Sequence, residues 1–186
     1  MNYESGRKLT FTSFILFFVI VTLQFVVSRL GTEGFLFTKY LVIYNVSFIV
    51  HTVLVAIGFL VMYLDGKDKS DFSITLSLGI KLLAIIFLYS AGSNYILTLN
   101  RTFCVIAYVL CALFPLAWAL KLRRELPLIS IALVIIAIWT VASYFVISEL
   151  TVALQYSPKI ALYSSLYNIF IYAEPIVFII AAYCDT

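Results

Sequence analysis

Charge is what this chain has least of. Of 186 residues only 11% are Asp, Glu, Lys or Arg, and 64% are hydrophobic. Ordinary soluble domains carry about 25% charged residues, so too little polar surface is present to coat a water-soluble globule. A single histidine excludes a bis-histidine haem or a His-rich metal centre within one chain. No Walker-type glycine loop is present, which excludes ATP hydrolysis by this polypeptide, and no Gly-x-Ser-x-Gly or His-Glu-x-x-His occurs. Aspartate is confined to Asp65, Asp68, Asp71 and Asp185, at the edges of apolar runs, so an intramembrane aspartate dyad is not expected. The basic residues are not clustered on one face, which argues against nucleic acid as a partner. No cofactor and no metal is expected.

Three cysteines, Cys104, Cys111 and Cys184, add little chemistry. Cys104 and Cys111 lie two helical turns apart, too far to bridge, and read as small buried apolar residues. A cysteine peptidase built from Cys104 or Cys111 with His51 is left open by composition. Beyond it no enzyme signature emerges, and a non-enzymatic role is favoured over an enzymatic one.

What the chain has in abundance is long apolar runs. A membrane-spanning helix needs about 20 mostly apolar residues. Six segments qualify: 11–30, 40–64, 72–92, 102–120, 128–148 and 160–183. The runs are continuous rather than alternating, which favours helices over barrel strands. The fold class expected is all-α, one polytopic six-helix transmembrane domain covering 1–186. Arg7 and Lys8 precede the first run, but its length and poor cleavage context make it a retained helix rather than a signal peptide.

Lys and Arg fall in alternate loops as seven against four, with Arg7, Lys8, Lys67, Lys69, Lys121, Arg123 and Arg124 on the side of the termini. This asymmetry predicts both termini in the cytoplasm. Only about ten residues precede the first run and almost none follow the last, so no soluble output domain is expected. The sequons at Asn45 and Asn100 read as an unusable intramembrane site and a polar loop.

Against this background three ionisable residues stand out: His51, Lys81 and Glu174. Each lies within about one helical turn of the centre of its segment, where a charge costs at least about 2.5–3.5 kcal/mol. Each ends or joins a polar stripe at helical spacing: Tyr40, Tyr44, Ser47 and His51; Ser73, Ser77 and Lys81; Tyr163, Tyr167 and Glu174. Such faces turn away from lipid. A ligand-binding or proton-relay site of His51, Lys81, Glu174, Tyr44, Ser47, Ser77 and Tyr167 is expected, with a possible ion pair between Lys81 and Glu174. The competing reading is that these residues are glue that fixes which helices are neighbours. Pro175 beside Glu174 predicts a kink, and Pro115 with Trp118 reads as packing. Weaker polar marks are Gln24, Asn45, Trp139, Thr140, Ser143 and Asn168.

In size, helix number and placement of termini the chain resembles the small solute-binding subunits of energy-coupling-factor vitamin transporters. The likeness is one of topology without a shared motif, and the first helix lacks their alanine-rich pattern. The functional expectation is an integral membrane protein that binds or translocates a small polar solute, ion or proton. The alternative is a non-catalytic subunit of a larger membrane complex, with an intramembrane enzyme as a third class. The partners expected are the lipid bilayer, a small polar solute or ion, and, on the alternative reading, other membrane subunits.

Overall fold

A computed structural model describes residues 2–29, 35–90, 99–152 and 159–185, the side chains at 24, 25, 27–29, 35–45, 149–152 and 159–161 excepted. The protein is all-α. Its helices are α1 (Tyr3–Arg29), α2 (Phe35–Gly66), α3 (Lys69–Ser90), α4 (Arg101–Leu122), α5 (Pro127–Val152) and α6 (Lys159–Cys184). Each contains a stretch long and apolar enough to cross a membrane.

Most helices run past the apolar segments that announce them, because local capping makes helix of the polar flanks. Helix α1 begins at Tyr3 rather than Phe11. Oδ1 of Asn2 accepts from the Ser5 backbone N at 3.0 Å, and Glu4 pairs with Lys8 one turn on at 2.7 Å. Asp68 caps α3, accepting from Ser70 N at 2.9 Å, and Asn100 caps α4, accepting from Thr102 N at 2.9 Å. The second sequon asparagine is thus an N-cap. Pro127 opens α5, where its missing N–H costs nothing. At the end of α2, Lys67 adopts φ 54° and donates its N–H to Tyr63 O at 2.6 Å, a left-handed helix stop. The expected end of the third segment at Gly92 lies outside the described residues.

Extensive helix contacts run in chain order, α1 on α2, α2 on α3, and so on to α5 on α6, and α1 then closes on α6. The six helices form a ring in which α3 and α6 stand opposite one another. The outside of the ring is apolar: Leu83, Leu120 and Ile138 are each about two-thirds exposed. That pattern inverts a soluble protein and suits lipid contact. Helices α1 and α2 approach closely at Gly6 and Gly58, where a Cβ on Gly6 would stand 2.5 Å from the Gly58 carbonyl oxygen. Small residues at such a crossing replace the hydrophobic drive that is absent between helices in lipid.

Part of the ring axis is filled by aromatic rings. Phe14 of α1 stacks on Phe178 of α6 (5.1 Å between centroids) and on Trp118 of α4 (5.8 Å). Phe59 of α2 meets Trp118 edge-on at 5.2 Å, and Phe114 packs against both Trp118 and Phe178. All five are essentially without solvent contact. This plug belongs to the half of the bundle that carries both termini. In the other half the described residues leave space along the axis.

Candidate functional site

A cavity of about 240 Å³ occupies the open half of the ring, and all six helices wall it. Most contributing residues belong to the part of their helix remote from the termini: Phe17 and Val21 on α1, residues 81–89 on α3, Tyr108 on α4, residues 140–147 on α5 and Tyr167 on α6, while Glu174 and Pro175 lie just past the middle of α6 on the side of the termini. Lys81 and Glu174 are its charged members. They mark its inner end, next to the aromatic plug.

Lys81 reaches this place from the middle of α3. Its side chain is only 9% exposed, and its Nζ lies over two rings, 5.4 Å from the centroid of Phe48 and 5.2 Å from that of Phe114. Phe48 lines the cavity, whereas Phe114 belongs to the plug, so the ammonium sits where the two meet. The ring faces supply cation–π stabilisation, part of what the ammonium loses in leaving water. Glu174 arrives from α6, where Pro175 also lines the cavity. Proline has no N–H and frees a carbonyl one turn back, which accounts for interrupted helix bonding beside the carboxylate.

Lys81 and Glu174 belong to opposite helices of the ring. Among the described residues no ion pair within 4.0 Å joins them; those present are Lys8–Glu4, Lys121–Asp71 and Lys121–Asp185. Tyr167, two turns before Glu174, lines the same cavity, as do Trp139, Thr140 and Ser143 of α5. The hydroxyls of Thr140 and Ser143 are engaged by their own helix, donating to Ile136 O at 2.9 Å and to Thr140 O at 2.8 Å. Tyr89, Tyr108 and Cys111 also line the cavity, and the remaining walls are aromatic and aliphatic.

The remaining expected site residues lie elsewhere. His51 is not among the cavity-lining residues. Its Nδ1 is 2.9 Å from Oγ and 3.1 Å from the carbonyl oxygen of Ser13. Its ring stacks on Phe17 at 4.6 Å and meets Phe14 edge-on at 4.8 Å. This places the imidazole in the seam between α1 and α2, one ring behind the cavity wall. Ser77 is buried and spends its hydroxyl on Ile74 O at 2.7 Å. Ser47 is partly buried and does not line the cavity, and the side chain of Tyr44 lies outside the described residues, as do those of Gln24 and Asn45. Asn168 is also away from the cavity. Cys111 lines it and Cys104 does not.

A second polar cluster, which spacing arguments did not reveal, closes the end of the ring that bears the termini. Nζ of Lys121 lies 2.7 Å from Oδ1 of Asp71 and 2.6 Å from Oδ1 of Asp185, and donates to the Tyr3 hydroxyl at 3.4 Å. Trp118 Nε1 donates to Oδ2 of Asp185 at 3.0 Å. The backbone N–H of Tyr3 donates to Asp65 at 2.7 Å. These contacts fasten α1, α2, α3, α4 and the end of α6 together. In sequence, each of these aspartates had looked like an isolated charge at a membrane edge.

Among the described residues no three His, Cys, Asp or Glu side chains gather in a way that could hold a metal ion. No family model matches the chain, and neither a curated protein nor a solved structure matches it.

Proposed function

We propose that this membrane protein binds a small polar solute in the cavity ringed by its six helices, with Lys81 and Glu174 as the charged contacts. The observation that carries this reading is a cation and an anion from opposite helices lining one cavity without closing on each other. Two buried charges that serve only as glue gain most by direct contact, which offsets their desolvation. Charges held apart across a cavity can instead meet a third body. Concave, largely apolar pockets with a few convergent polar groups are the usual form of small-molecule sites.

The excess of Lys and Arg on the side of the termini favours a cytoplasmic position for the turns at 67–69 and 121–124. In that orientation the cavity lies in the outer half of the bilayer and the aromatic plug in the inner half. The protein then receives its solute from outside, and translocation requires the plug to part. Binding is thus the primary event, and passage is a second step that depends on movement of Phe14, Trp118 and Phe178.

The test is native mass spectrometry of the protein released gently from membranes. A small molecule retained by the native chain and lost from the Lys81→Met/Glu174→Gln double variant is expected. Equal retention by both proteins, or no retained molecule in either, overturns the reading.

A further inference from the structure

We infer that the solute is a zwitterion with an apolar side group, of the class of the aliphatic and aromatic α-amino acids. This rests on the solute-binding reading above and names its ligand.

Three features of the cavity restrict the ligand. The first is charge. Lys81 offers one ammonium and Glu174 one carboxylate, and among the described residues no ion pair within 4.0 Å satisfies either inside the cavity. A purely anionic solute pairs with Lys81 and sets its own charge against Glu174. A purely cationic solute does the reverse. A zwitterion with its two charges close together compensates both residues at once, and like-charge approach in a low-dielectric site is strongly unfavourable.

The second is the position of the charges. Both side chains stand at the inner end of the cavity, near the plug, while Val21, Leu88 and Ile147 lie further toward its outer end. The charged head of the ligand therefore belongs at mid-membrane. Its remaining atoms extend outward along walls provided by Phe17, Phe48, Ile85 and Trp139. A polar tail such as a sugar would set hydroxyls against these four side chains, at a free-energy cost for each unmet hydrogen bond, although Tyr89, Tyr108 and Tyr167 line the cavity as well.

The third is size. The volume of about 240 Å³ exceeds the roughly 150 Å³ of an engineered cavity that accepts benzene and falls short of the roughly 300–1,000 Å³ of drug-sized pockets. One ring or branched chain together with an amino-acid head is of this scale.

The experiment uses the full chain in lipid nanodiscs with four probes: L-phenylalanine, phenethylamine, 3-phenylpropionate and glycine. Binding is measured by isothermal titration calorimetry. L-phenylalanine is expected to bind at least about tenfold more tightly than each of the others, since each lacks one of the three features. The variants supply a crossed control. Lys81→Met is expected to weaken L-phenylalanine while strengthening phenethylamine, whose ammonium no longer meets a like charge, and Glu174→Gln to weaken L-phenylalanine while strengthening 3-phenylpropionate. The retained single-charge ligand also shows that each variant is folded. Equal affinity for L-phenylalanine and either single-charge probe overturns the zwitterion assignment. So does a failure of all four probes while a co-purified solute is still lost on double substitution; that outcome leaves the solute-binding reading intact. Loss of neither probe binding nor a co-purified solute on double substitution overturns both.

Discussion

The indole nitrogen of Trp118 donates to a carboxylate oxygen of Asp185 at 3.0 Å, and the other oxygen of that carboxylate lies 2.6 Å from Nζ of Lys121. One aspartate thus links the aromatic plug to an ion cluster in which a single ammonium serves two buried carboxylates. Asp71, the second of them, has no solvent exposure and keeps one oxygen, Oδ2, without a hydrogen-bond partner. The cluster depends on Lys121 for its charge balance. Lys121→Met is expected to destabilise the protein by about 3–5 kcal/mol, the range for removing one member of a buried ion pair. Asp185→Asn keeps an acceptor for Trp118 and leaves the Lys121–Asp71 pair, so it should cost distinctly less. Thermal unfolding in detergent, read from tryptophan fluorescence, gives both values. Equal losses would show that Lys121 does not depend on Asp71.

The crossing of α1 and α2 makes a steric prediction. A methyl group on Gly6 meets the Gly58 carbonyl oxygen at 2.5 Å, and one on Gly58 meets the Gly6 carbonyl oxygen at 2.9 Å. Backbone atoms cannot swing aside, so the helices must separate. Gly6→Ala and Gly58→Ala should each destabilise by about 1–3 kcal/mol, as overpacking does. Gly79 has no heavy atom near its missing side chain and serves as the control: Gly79→Ala should be neutral or slightly stabilising, since alanine is the better helix former. Thermal midpoints of the three variants decide the matter.

His51 lies in the α1–α2 seam rather than on the cavity wall. Substitution by Leu removes the link to Ser13 and should lower stability by about 1 kcal/mol, the net worth of one hydrogen bond. Solute affinity should stay unchanged. A matched fall in affinity measured by calorimetry would place the imidazole in the binding machinery.

Lys81 and Glu174 are expected to be only weakly coupled in the absence of solute. A double-mutant cycle with Lys81→Met and Glu174→Gln, read by thermal unfolding, should give an interaction energy well below the about 3–5 kcal/mol lost when a directly closed buried pair is broken. A value within that range would mean that the two side chains close on one another in the membrane.

At the start of α3, Asp68 accepts from the Ser70 hydroxyl at 2.6 Å and from the Ser70 N–H at 2.9 Å. These bonds hold its carboxyl below the usual carboxylate range. A depressed folded-state value stabilises the protein above the unfolded value of about 3.9 and is lost as pH falls through the folded one. Asp68→Ala should cost about 0.5–2 kcal/mol at neutral pH, as loss of an N-cap does. The gap between native and variant should narrow as pH drops below about 4. Unfolding curves across pH 3–7 check the sign; a gap that widens in acid would contradict it.

The helices were readable because a spanning segment needs only length and apolarity, and both are local properties. Their ends were less so: the turns before Phe11 and Phe72 look like loops by hydropathy, yet Asn2 and Asp68 cap them into helix. Counting along each helix gave depth for Lys81 and Glu174, helical spacing added Tyr167, and all three line one cavity. It could not give rotation about the helix axis. His51 shares their depth and faces Ser13 instead, because the packing of α1 on α2 sets its direction. The aromatic walls, Phe17 and Phe48 above all, carry no polar signal and look like any lipid-facing ring in sequence. The Lys121 cluster joins residues 50 positions and more apart, each of which reads alone as a topology charge.

That cluster also imposes an order on assembly. Asp71 and Lys121 enter the membrane with α3 and α4, and until α6 follows they form a balanced one-to-one pair. Asp185 is synthesised after the whole of α6, and its arrival supplies both the second carboxylate and the acceptor for the Trp118 indole. The same helix brings Glu174 to the cavity, Phe178 to the plug and the closing contact with α1. Helix α6 is therefore the latch of the ring. Until it closes, the other five helices form an open arc in which Lys81 lacks Glu174 across the cavity.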